Sequence, residues 1–225
     1  MTDVDTALKM IAETESAYEI SPPDDWVSAV RYMRWLGNYD ESVIHEAAHA
    51  VAAWHSPTCL TVFWVRVGEI CETMVFSPPN RRSCVLWDTM AFYLAGAAVV
   101  AAAKPGFKPT GTQLDISTAI NNAIRLTADR NESVPAHPWT DYTEIPTPDI
   151  RKLLPLIVAE RQLPLMRIAW RRALAVVATR LHRTHKLCEA LQRSGKLNTL
   201  DLIRILGRRP IFTPLAATAF YFAGK

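Results

Sequence analysis

Apolar residues recur every three or four positions along most of the chain and crowd into a short β-branched stretch once. The pattern therefore predicts helices around one small sheet. Residues 4–37 read as two helices divided by "SPPDD", whose prolines and aspartates stop one helix and cap the next. A third helix starts near Asp40, an N-cap residue type, and stops before Pro57. In "LTVFWVRVGEICETMVF" (60–76), β-branched and aromatic residues flank Gly68, which predicts a hairpin. "SPPNRRS" reads as a turn, 84–103 as an alanine-rich helix and 104–111 as a loop punctuated by proline and glycine. A helix follows from Gln113 to Asp129. The polar segment 131–149, with Pro135, Pro138, Pro146 and Pro148, reads as a surface loop, and 150–206 as helical. The expected fold class is mainly α, of α+β type with one small β-hairpin. It divides into an N-terminal helical extension (1–37), a main domain (38–206) and an apolar C-terminal tail (207–225).

Composition narrows the partners. Of 225 residues, 49% are hydrophobic and 21% charged, which is globular, and a net charge of +3 is too small to imply nucleic acid. The basic run "RIAWRRALAVVATRLHRTHK" (167–186) sets its arginines between Ala169, Leu174, Val177 and Leu181, the pattern of a solvated helix face. "MTDVDTALKMIAETE" is acidic and lacks an apolar core, so the reading is a cytoplasmic protein. Cys59, Cys71, Cys84 and Cys188 lie far apart and are expected to be reduced core thiols. Residues 86–103 include Asp88 and fall short of the roughly 20 strongly apolar residues a spanning helix needs. The tail "RRPIFTPLAATAFYFAGK" is apolar but broken by Pro214. Packing on the domain, a partner and a membrane surface all remain open for it.

The candidate chemistry lies in "ESVIHEAAHAVAAWHSP" (41–57). On a helix, Ile44, Ala48 and Val51 form the packing stripe. His45 and His49 are about 40° apart around the axis and one turn apart along it, so both imidazoles can reach one ion. Glu46 falls beside them, placed to take a proton from water on that ion rather than to ligate it. Catalytic zinc usually takes three protein ligands. His55 sits near the helix end, on the packing side, and points away. Between 77 and 130 a third ligand would come from Asp88, Asp115 or Asp129.

"HEAAHAVAAW", a hairpin, "YLAGAAVVAAA" and "PTGTQLDISTAINNAIRLT" together resemble the peptidase domain of the FtsH-type zinc metalloproteases, over about residues 38–130. That family reads H-E-A-G-H-A, then G-G-R-x-A-E, then T-G-A-x-N-D-L-x-x-A-T. "RRALAVVATRLHRTHKLCEALQRSGKLNTLDLIRIL" resembles its closing helices. The resemblance implies a helical zincin-like fold and one zinc ion held by His45, His49 and Asp115. It also implies Glu46 as general base; Gly111 and Ala119 match further positions of the T-G segment. Asp115, just after the Gly111 turn and in the first turn of its helix, can also serve the helix dipole.

The chain departs from the family at three points. Ala48 replaces a glycine, and "AGAAVV" keeps Gly96 but lacks the arginine and glutamate of G-G-R-x-A-E. No G-x-x-x-x-G-K-[ST] phosphate loop is present, so the expectation is a peptidase domain without its ATPase. Expected partners are a protein or peptide substrate, with a separate ATPase and a further copy of the chain as other candidates. The rival reading is an inactive peptidase-like regulatory or interaction module. Tyr93 and His137 are open candidates for stabilising an oxyanion, and His182 and His185 lack an acidic partner for a second metal.

Overall fold

The computed structural model describes residues 32–56, 61–76, 83–104, 106, 112–128 and 163–208. Most of the predicted helices of 4–37, the turn after the hairpin, the proline-rich segment 131–149 and the tail beyond residue 208 lie outside them. So do Cys59, Gly111, Asp129 and His137.

The fold is mainly α with a small hairpin, as the apolar spacing predicts, and a third strand joins that hairpin into a sheet. A 3-10 turn, Met33–Asn38, leads to α1 (Glu41–Trp54), with Asp40 as its N-cap residue. The hairpin is β1 (Thr61–Arg66) and β2 (Glu72–Phe76). Next come α2 (Ser83–Ala103), α3 (Gln113–Ala128), α4 (Leu163–Ala178), α5 (Leu181–Ser194), β3 (Lys196–Asn198) and α6 (Thr199–Leu206).

Helix α2 is the hub. It packs against α1, α3, α4 and the 3-10 turn. Its side chains explain why: Met90, Leu94, Ala95, Ala97, Ala98, Val99 and Val100 point to several sides and all are buried. A helix apolar all round must be covered all round. No described helix is long and apolar enough to cross a membrane. Met33 and Leu36 of the 3-10 turn are fully buried in the same core, ahead of α1.

The sheet order is β2-β1-β3, both pairs antiparallel. Val62 and Val65 of β1 face the core, and α1 lies behind them. The strand β3 departs from the continuous helical reading of the last third. Gly195 ends α5 in the left-handed region (φ 68°). Asn198 then caps α6, accepting from the backbone N–H groups of Leu200 and Asp201 while Asp201 accepts from that of Asn198. Three residues between two helix ends pair with β1.

Two further expectations are corrected. Cys188 is a buried thiol, pushed up to about 12 by burial, but Cys71 is exposed in the hairpin turn, its Sγ 3.5 Å from Gly68 O. The run 167–186 is two helices broken at Thr179–Arg180, and its arginines are not all solvated. Arg171, Arg172 and Arg180 are buried. Arg180 donates to Val176 O at 3.0 Å and Arg172 pairs with Asp88 across the α2–α4 contact. Asp88 also accepts from Ser56 Oγ at 3.1 Å, so this candidate ligand serves the fold instead.

Asp88→Ala removes the carboxylate facing a buried guanidinium and is expected to cost about 3–5 kcal/mol of stability. Urea unfolding of the variant measures it; a loss under about 1 kcal/mol would show that the pair is not a buried, coupled one.

Candidate metal centre

Each donor reaches the site for a local reason. Helix α1 buries Ile44, Ala47, Ala48 and Val51, which turns His45 and His49 toward α2 and α3. Alanines at 47, 48, 50 and 52 keep the helix slim enough for its neighbours to approach. Ala48, where the resembled family has glycine, is fully buried, so its methyl is accommodated in the core. Ile116, Ala119 and Ala123 bury one face of α3, which also packs on α2 and so carries Asp115 to the histidines.

The three side chains converge. His45 Nε2 lies 3.1 Å from Asp115 Oδ2, His49 Nε2 lies 3.3 Å from the same oxygen, and the two Nε2 atoms are 2.9 Å apart. Among the described residues this is the group of His, Cys, Asp and Glu donors able to hold a metal ion. Asp88 and His55 are not in it. His182 is exposed, and His185 meets the hydroxyl of Tyr39 at 3.1 Å.

Two groups on α2 fix the imidazoles. His49 Nδ1 is 2.7 Å from the backbone oxygen of Phe92. A carbonyl only accepts, so Nδ1 carries the proton and the neutral ring presents its Nε2 lone pair to the site. Gly96 makes room for His45: a Cβ there would lie 2.6 Å from His45 Nε2 and closer still to other ring atoms.

The electrostatics require a cation or a proton at the centre. Two lone pairs and a carboxylate oxygen within hydrogen-bond distance repel unless something positive lies between them. Burial opposes charge on His49, yet the hydrogen bond to Asp115 and the charges of Asp115 and Glu46 raise its pKa. Burial likewise disfavours the Asp115 carboxylate, but hydrogen bonds from both histidines hold its pKa far below the usual range.

Glu46 is 5% exposed and stands apart from the three donors. Its Oε2 accepts from the hydroxyl of Thr73 on β2 at 2.7 Å. Tyr93 is half-buried; burial, and then the charge of Asp115, raise its phenol pKa. Sequence alone does not single out Phe92, Gly96 or Thr73 for these roles. A backbone carbonyl leaves no trace in residue type, whereas Gly96 was visible as the glycine kept in "AGAAVV".

The sequence matches no protein-family model, and no curated protein matches it. The resemblance to the FtsH-type peptidases therefore rests on the motifs and their order.

Gly96→Ala forces the His45 ring out of place. Metal affinity is expected to fall about 10–100-fold with helicity retained, while Asp115→Ala, which deletes a donor, should lose at least as much. Competition titration with a chelating dye, alongside circular dichroism, reads both; wild-type affinity in Gly96→Ala would mean that His45 does not ligate.

Proposed function

We propose that the chain is a zinc-dependent metallopeptidase that hydrolyses unfolded or flexible polypeptides, with His45, His49 and Asp115 as zinc ligands and Glu46 as general base. The observation that carries this reading is the convergence of two Nε2 atoms and one carboxylate oxygen at mutual distances of 2.9, 3.1 and 3.3 Å. Ligands about 2.0–2.1 Å from a tetrahedral zinc stand about 3.3–3.4 Å apart, so small adjustments seat the ion. Two neutral imidazoles and one carboxylate leave it a net charge of about +1 and room for a further ligand. Zinc bound there would supply a Lewis acid for a peptide carbonyl and would lower the pKa of bound water to about 7.

The chain's own residues supply the rest. Glu46, next to a ligand on the same helix, accepts the proton from the attacking water and returns it to the leaving nitrogen. Its burial keeps bulk water from competing for the carboxylate. The sheet offers a substrate platform: β3 covers one side of β1, and β2 lies at the opposite end of the sheet. An extended polypeptide added to that edge would pair through its backbone, whatever its sequence.

Glu46→Gln is expected to keep the metal and the fold but lose about 10²–10⁴-fold in peptide hydrolysis. The measurement is turnover of an unfolded protein by the zinc-loaded chain, with metal content determined in parallel. Equal turnover in both proteins would remove Glu46 as the base; no turnover in the wild type would favour the regulatory-module reading.

The chain holds no phosphate-binding loop. Acting alone, residues 1–225 can therefore cleave only those folded substrates that open spontaneously, at a cost up to their global stability of about 5–15 kcal/mol. A destabilised variant of a test substrate should be degraded much faster than its stable parent, with no effect of ATP. Equal rates for the two forms, or a requirement for ATP, would contradict this.

A further inference from the structure

We propose that Thr73 is a positioning residue that holds the Glu46 carboxylate in the orientation for proton transfer; the inference rests on the reading of Glu46 as general base. The Thr73 hydroxyl lies 2.7 Å from Glu46 Oε2 and 3.1 Å from the main-chain oxygen of the same residue. It therefore bridges the tip and the root of one side chain. A glutamate has three rotatable bonds, and a base that wanders among rotamers seldom points at its proton. A short hydrogen bond to a carboxylate is charge-assisted and outlasts a neutral one.

The anchor is itself rigid. Threonine is β-branched and stiff about its first torsion. Thr73 sits inside β2, paired with Val65 of β1, and Val65 is fully buried against the core. The sheet thus fixes Oε2 from outside α1, and Oε1 is the oxygen left to take the proton. Glu46 is 5% exposed, so its carboxylate cannot rely on water in place of this partner. Thr73 also lies on the strand proposed to receive substrate. Pairing along β2 would stiffen the same anchor that aims the base.

The test compares Thr73→Val, which keeps shape and removes the hydroxyl, with Thr73→Ser, which keeps the hydroxyl. Zinc-loaded full-length proteins are assayed on a quenched fluorescent peptide, with zinc content measured for each. Thr73→Val should keep its zinc and a KM within about twofold of wild type, while kcat falls about 10–100-fold. Thr73→Ser should recover most of kcat. A second measurement needs no activity: in the metal-free protein, Thr73→Val should lower Tm in the Glu46 background and have little further effect beside Glu46→Ala. Unchanged kcat in Thr73→Val, no rescue by serine, or additive Tm shifts would each overturn the proposal alone. A zinc-loaded wild type without hydrolysis, or full activity in Glu46→Gln, would overturn the reading of Glu46 and this inference with it.

Discussion

The close approach of α1 to α2 is the constraint on which the rest depends. The His45 ring occupies the space where any side chain at position 96 would stand. The backbone of the next turn toward the N-terminus, at Phe92, supplies the oxygen that fixes His49. Alanines on both helices permit that approach, because each larger side chain at the contact would push the axes apart. Once α2 is in place, its remaining faces take up α3 and α4, and α3 delivers Asp115 from 70 residues away in sequence. Core packing and donor geometry are thus one problem solved by one set of small residues.

The fold assembles like-natured groups at the centre and keeps them there. Two lone pairs and an anion in a partly buried pocket are unfavourable by themselves; Asp115 and Glu46 raise the pKa of His49, and the two histidines hold that of Asp115 low. Part of the binding free energy of a metal ion entering the centre would become folding free energy. The packing of α2 against its neighbours holds the donors together against this repulsion, and the buried Asp88–Arg172 pair belongs to the same framework.

Much of this was legible in the residues, and the limits follow physical lines. Periodicity found α1, the hairpin, α2 and α3, since each is long or strongly patterned. Histidine spacing placed two donors on one helical face without further help. Choosing Asp115 over Asp88 needed the family resemblance, because both are aspartates near the start of a helix; only packing shows that Asp88 faces Arg172. The strand β3 leaves no periodic signal because it has only three residues, although the glycine at 195 and the Asn198–Asp201 capping box mark the break. The burial of Arg172 and Arg180 leaves no mark in the local pattern, because one pairs with a distant carboxylate and the other donates to a backbone carbonyl. The Thr73 contact joins a strand to a helix 27 residues earlier, and nothing in the spacing of either encodes it.

The supports of the site fall into two independent sets. The metal donors are fixed by helices: α1 carries His45 and His49, α2 supplies Gly96 and the Phe92 oxygen, and α3 carries Asp115. The Glu46 carboxylate is held by the sheet through Thr73. A helix presents residues 45, 46 and 49 in one rigid frame, yet the carboxylate at 46 stays apart from the three donors. Its support comes from a second direction, the hydroxyl of Thr73 on β2. The hairpin therefore contributes to the centre even though it carries none of the three donors.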